Sequence, residues 1–474
     1  MTVLLPFIVN AGLNFVLGLL VALFLGPAAF GVYAIGAAIV VLVNTALLDW
    51  LKLSVIRFYS GREREPGIRA TLDLLFAGIG LSLCALLAAA LLAGIDTGLP
   101  MTLLVVAVAG GVGAGWFDYH GAIARSRFLD AAYARLVVVR SSVALLLMVG
   151  AAWLMRDPVL VLLGGLVSTI VSVLAVRRRL AEDGPSFAAA RADLARSFAR
   201  YALPLVAGNA VYSIIPLLNR AILADRLGFA EAGYFSLASD IGLRLFPVLA
   251  SMLEILLLRE VIRLDETRGR LAAQKRIARN MALVLAVVLP VALGFWLTLP
   301  AFERVFVPVS FRGHFANHMA LLLPGFAAIA LFQAAIYPVF LLERRTRVAA
   351  LAALVGLVVN LAVIYLPPGA FAPGTIAIAQ SAAFVTAFLV TGLVALRALP
   401  SWPPLHDIGC IILAGVVMGA VVWPLQNRLP ALLELPLQIV LGGLAYAAVI
   451  LACDIGRWRT GLKLRWLARK SARR

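Results

Sequence analysis

Fourteen apolar stretches divide the chain, and the basic residues between them fall almost entirely in every second gap. The stretches run at 2–25, 30–56, 70–94, 99–118, 136–155, 158–176, 201–224, 230–258, 280–300, 315–342, 348–366, 374–396, 407–424 and 436–454. A helix needs ~20 residues to cross a hydrocarbon core, and each stretch is long enough. With both termini cytoplasmic, the external gaps hold only Arg156, Arg226, Arg304, Arg312 and Arg428, and the spans themselves hold Lys52, Arg140, Arg220 and Arg244. The other 32 of the 41 Lys and Arg lie in the cytoplasmic gaps and the C-terminal tail. That bias is the positive-inside signature, and one span more or fewer would scramble it. The expected fold class is all-α and integral to the membrane, with 14 transmembrane helices and cytoplasmic N- and C-termini.

Composition narrows the functions. The chain is 63% hydrophobic with a mean hydropathy of +1.02, far above the soluble average. A net charge of +18 would suit a nucleic-acid binder if the chain were soluble. Here the charge lies where an anionic inner leaflet attracts it, so no nucleic acid is expected as a partner. The tail after Asp454 carries eight basic residues and no acid, and Trp458, Leu462 and Trp466 repeat at one-turn spacing. Anionic lipids are its expected partner, through a short amphipathic helix. Phe187, Leu194 and Phe198 alternate similarly with arginines between spans six and seven.

Cys84, Cys410 and Cys453 all fall within spans, so neither a disulfide framework nor a thiolate metal site is expected. No gap holds a soluble domain. The run GGVGAG at 110–115 has no strand before it and no Lys-Ser/Thr after it, so close helix packing through small residues is its expected role. His314 and His318 stand one turn apart without a third ligand nearby, and no metal or other cofactor is expected. Asp118 and His120 mark the inner end of span four and are expected to face the loop.

An internal repeat organises the spans. Leu25-Gly26-Pro27-Ala28-Ala29-Phe30-Gly31-Val32-Tyr33 follows span one, and Leu227-Gly228-Phe229-Ala230-Glu231-Ala232-Gly233-Tyr234-Phe235 follows span seven, at an offset of 202 residues. Both lie in short external turns, and six spans separate them, so the halves share one orientation and relate by an axis along the membrane normal. The expected domains are an N-lobe at 1–176, a cytoplasmic linker at 177–200, a C-lobe at 201–396, two extra helices at 397–456 and a basic tail at 457–474.

These two turns, with Phe198-Ala199-Arg200-Tyr201-Ala202-Leu203-Pro204 and Gly233-Tyr234-Phe235-Ser236-Leu237-Ala238, resemble the polysaccharide-exporting lipid flippases of the multidrug/oligosaccharidyl-lipid/polysaccharide exporter superfamily. The resemblance implies two six-helix lobes around a central cavity in a bacterial inner membrane. It also implies alternating-access transport of a polyprenyl-diphosphate-linked sugar to the outer leaflet, with a polysaccharide polymerase and glycosyltransferases as partners. Many relatives carry an acidic residue near the end of the seventh helix; this chain has Asn219-Arg220 there, which sets a cation-coupling role at that position in doubt.

Ionisable residues inside spans are costly, ~2.5–3.5 kcal/mol each on insertion scales, and they commonly mark a pathway. Arg244 lies near mid-depth in span eight, with Asp240 one turn before it. The two form either a self-satisfied ion pair or part of a substrate site. Asp49 and Lys52 are three apart on span two and can pair locally. Arg140 and Arg220 stand nearer their interfaces, where each can snorkel. Read together, Lys52, Arg140 and Arg244, with Arg220 above them, make a cationic ladder that suits a diphosphate. Asn10, Asn14, Asn209 and Asn219 join Pro6, Pro204 and Pro216 in the first helix of each lobe, as polar lining of bending elements. Two competing classes are a drug or cation antiporter and a membrane-embedded polymerase or ligase. The first would want buried carboxylates. The second would want a long external catalytic loop, whereas the external gaps here are short.

Overall fold

A computed structural model describes residues 4–59, 66–94, 98–181, 187–343, 345, 347–366, 371–399 and 402–453. Its helices are α1 (Leu4–Val43), α2 (Asp49–Phe58), α3 (Pro66–Leu92), α4 (Met101–Ser126), α5 (Asp130–Leu154), α6 (Pro158–Leu180), α7 (Ala192–Leu227) and α8 (Phe229–Arg268). They continue as α9 (Arg270–Phe306), α10 (His314–Leu331), α11 (Tyr337–Leu342), α12 (Arg347–Tyr365), α13 (Pro373–Ala398), α14 (Leu405–Val422) and α15 (Ala431–Ala452). Among the described residues, 13 helical segments are long and apolar enough to cross a membrane. The first of them, Gly12–Phe58, is two spans in one, because α1 breaks at Gly26. With that break the count agrees with fourteen spans, and the chain is a multi-pass membrane protein.

The break is chemical. Gly26 holds φ 71°, ψ 173° and is followed by Pro27. Its repeat equivalent, Gly228, closes α7 at φ 90°, ψ 166°. This region is essentially restricted to glycine, so each repeated turn needs glycine where the sequence has it. Gly269 adopts the same conformation, at φ 79°, ψ 174°, between α8 and α9. It makes the gap 259–279 two helical extensions joined by a single residue. The gap 177–200 is likewise largely helical, since α6 runs on to Leu180 and α7 starts at Ala192. Arg, Leu and Ala are good helix formers, and they extend the helices beyond their apolar spans.

The chain forms two compact units, Met1–Leu237 and Ala238–Arg474. In the first, the glycines of α4 are packing positions. Gly110 and Gly111 lie against Val40 and Val43, Gly113 against Leu166, and Gly115 against Leu48. One end of this unit packs around Leu51, Tyr59, Phe198 and Ala202. Leu194 packs against that core, so this part of the expected surface segment is the start of α7. The Phe187 side chain and the tail from Asp454 lie outside the described residues. In the second unit α10, α12 and α13 pack closely, with Gly356 against the Ala383 carbonyl. The hairpin of α14 and α15 packs on α9 through Leu297, Ala414, Met418, Val422 and Tyr446.

Candidate functional site

Polar side chains gather in the first unit where α1 passes into α2. Residues Asn44–Leu48 form a π turn, in which the Asp49 amide donates to the Asn44 carbonyl. A π turn adds one residue to the helix and rotates everything after it, and such turns recur at functional sites. This one brings Asn44 and Lys52 to the same carboxylate. Asn44 Nδ2 donates to Asp118 Oδ2 at 3.1 Å, and Lys52 Nζ lies 2.5 Å from Asp49 Oδ1 and 3.6 Å from Asp118 Oδ2. The Arg140 guanidinium lies 4.2 Å from the centre of the Phe117 ring, one residue from Asp118. Lys52, Asp49 and Asp118 all keep partial exposure, at 24%, 16% and 30%, so none of the three charges is sealed inside the packed core.

Asp118 does not face a loop, because α4 continues to Ser126 and turns it toward α2. His120 is buried as well, with its Nδ1 2.9 Å from the Trp116 carbonyl and its ring edge-on to Trp116 and Tyr119. Tyr119, next to Asp118 in the chain, belongs to a second group that the span pattern did not single out. Arg69 Nε donates to Asp73 at 3.0 Å, Tyr119 donates its hydroxyl to the same carboxylate at 2.6 Å, and Arg69 lies over the Tyr119 ring.

The remaining expected residues separate. Arg220 does not reach the protein surface: it is buried and donates to the Ala34 carbonyl at 2.8 Å, and Asn219 beside it is fully buried. Asn14 and Asn209 are exposed on α1 and α7, and the Asn10 side chain lies outside the described residues. In the second unit Arg244 is exposed and Asp240, one turn earlier on α8, is partly buried. Further along α8, Gln333 of a second π turn, Phe332–Ile336, donates to Ser251 at 3.0 Å and to Glu254 at 3.4 Å.

An apolar groove of about 720 Å³ runs between α9 and α14. Leu293, Trp296, Ile412, Val416, Gly419 and Trp423 line it. Tyr446 also borders it, but its hydroxyl donates to the Ala286 carbonyl at 3.0 Å. At the end of this hairpin the fully buried Glu434 accepts from Arg304 Nη2 on both carboxylate oxygens at 3.1 Å, and also from the Asn427 backbone amide and Gln438. One sequence signal could have found Asp118 and Asp73: the cost of a charge within an apolar span applies equally to carboxylates.

No protein-family model matches the sequence, and no curated protein does. Solved structures match in fold. The chain is similar to the lipid II flippase MurJ in an inward closed conformation, with a TM-score of 0.73 and 14% identity over 95% of this chain and 98% of that one. It is also similar to an inward-facing multidrug resistance MATE family transporter of the MOP superfamily, with a TM-score of 0.50 and 14% identity over 82% of this chain and 94% of that one. A MATE structure in complex with MaL6 gives 0.51 and 15% over 83% and 94%. The fold is the one these transporters share.

Proposed function

We propose that the chain is a flippase of this superfamily. It moves a polyprenyl-diphosphate-linked oligosaccharide from the inner to the outer leaflet by alternating access, for assembly of a surface polysaccharide of exopolysaccharide or O-antigen type. The groove between α9 and α14 carries the reading. Its wall is leucine, isoleucine, valine and tryptophan, which suits a long isoprenoid chain and offers nothing to a charged drug. The head of such a lipid is a diphosphate, and the chain has cations to meet it. Arg244 is an exposed guanidinium within a membrane-spanning helix. A charge there is tolerated where it faces water or protein rather than lipid. Lys52 and Arg140, with Asp49 and Asp118 as their resting counter-charges, supply the same chemistry in the first unit. The lobe division at 1–176 and 201–396, the inner-membrane location and the cytoplasmic termini belong to this proposal, as do anionic lipids at the tail.

A second reading is a multidrug or cation antiporter. The observation in its favour is the pair of partly buried carboxylates, Asp49 and Asp118, which such an exchanger could protonate. The two readings separate in cells. Loss of a flippase should abolish surface polysaccharide and accumulate lipid-linked oligosaccharide on the inner leaflet, with drug sensitivity unchanged. Loss of an antiporter should do the reverse.

A further inference from the structure

The repeated turns meet each other. A Cβ on Gly31 would overlap the carbonyl oxygen of Phe229, and one on Gly233 would overlap that of Pro27. The partners are themselves repeat equivalents: Pro27 and Phe229, like Gly31 and Gly233, stand 202 residues apart. The two turns therefore touch about a local two-fold axis, backbone against backbone. Close by, the buried Arg220 of α7 donates to the Ala34 carbonyl of α1, three residues after Gly31. Phe30, Ala34, Ile35 and Phe235 are all buried in this region.

We propose that Gly31 and Gly233 form a separable closure of the external face, with Arg220 as its latch. The proposal rests on the alternating-access reading, which requires this face to open. Here two glycines bring main chain to main chain, so no side chain of Gly31 or Gly233 has to repack when the contact parts. Each turn is also preset by its own glycine, Gly26 or Gly228, in a conformation restricted to glycine, so the two surfaces can part and return unchanged. The latch is equally reversible. Ala34 lies within α1, where its carbonyl keeps its place in the helical hydrogen-bond ladder when the guanidinium leaves. The freed Arg220 then enters the passage that has opened, where water can solvate its charge.

The test uses the full-length chain in membranes, with Cys84, Cys410 and Cys453 replaced by Ser and a reporter cysteine in place of the buried Ala38. A membrane-impermeant maleimide is added from the external side. The parent should label slowly, and Gly31→Ala or Gly233→Ala should each raise the labelling rate about tenfold by populating the open form. Arg220→Ala should move it in the same direction. The Ala34 carbonyl keeps its helical bond in this variant, so it remains informative if the glycine variants do not accumulate. Gly356→Ala applies a steric load of the same kind, though milder, to the Ala383 carbonyl, remote in sequence from the repeated turns, and should leave labelling at the parent level. Unchanged labelling in folded glycine and arginine variants, or an equal rise in Gly356→Ala, would overturn the proposal. Labelling needs no substrate, so a protein that opens but moves no sugar lipid would refute the substrate reading and leave the closure standing.

Discussion

At the scale of single residues, charge inside an apolar span is informative, but its surroundings decide its meaning. Arg244 and Arg220 look alike in sequence, each a lone arginine in a membrane helix. One is exposed on α8, while the other is buried against the Ala34 carbonyl. Replacing Arg244 by Ala should abolish surface polysaccharide while membrane expression stays near normal. Removing Asp240 as well should restore activity only if the two are a structural clamp, because a double substitution relieves a clamp but not a lost binding group. Arg304 gives a stability prediction. Breaking a fully buried pair costs about 3–5 kcal/mol; Arg304 keeps 36% exposure and Glu434 keeps two other donors, so Arg304→Ala should cost on the order of 2 kcal/mol. The readout is a lower melting temperature in detergent, with Arg304→Lys recovering part of the loss. The sequence made the cations easy to find because they interrupt apolar runs. It did not pair them, because Asn44, Lys52, Asp118 and Arg140 come together only when α1, α2, α4 and α5 pack.

At the scale of elements, the spans were legible and the irregularities within them were not. Hydropathy averages over about 19 residues, so it sees a crossing and misses one inserted residue. Both π turns escaped it for that reason. Each sets an amide, Asn44 or Gln333, against a carboxylate on another helix, Asp118 or Glu254. Deleting Ala46 should return Asn44–Leu48 to α-helical winding, keep Lys52 on its face of the helix, and remove the widened turn that presents Asn44 to Asp118. The expected result is a folded protein that no longer supports polysaccharide export; wild-type export would show that the π turn has no part in transport. The helical ends at 177–200 and 259–279 were hidden differently. Their arginines mark them as polar, but polarity alone does not separate a loop from a solvated helix. The glycines at 26 and 228 were readable as turns, and the contact between the two turns through Gly31 and Gly233 was not, since it depends on how α1 and α8 pack.

At the scale of the whole molecule, the alternation of basic and non-basic gaps carries the orientation. Reporter fusions at 61–66, 182–190 and 265–270 should report cytoplasmic positions, and fusions at 96–98, 368–373 and 428–432 external ones. A single swapped pair would break the fourteen-span order and the six-plus-six reading with it. The central claim is chemical: an apolar groove and membrane-embedded cations serve one amphiphile, a diphosphate on an isoprenoid tail. Purified protein in vesicles tests it most directly, with a polyprenyl-diphosphate sugar confined to one leaflet and its arrival on the other followed over time. The account predicts translocation that Arg244→Ala abolishes. Robust exchange of a cationic dye, with no movement of the sugar lipid, would contradict it.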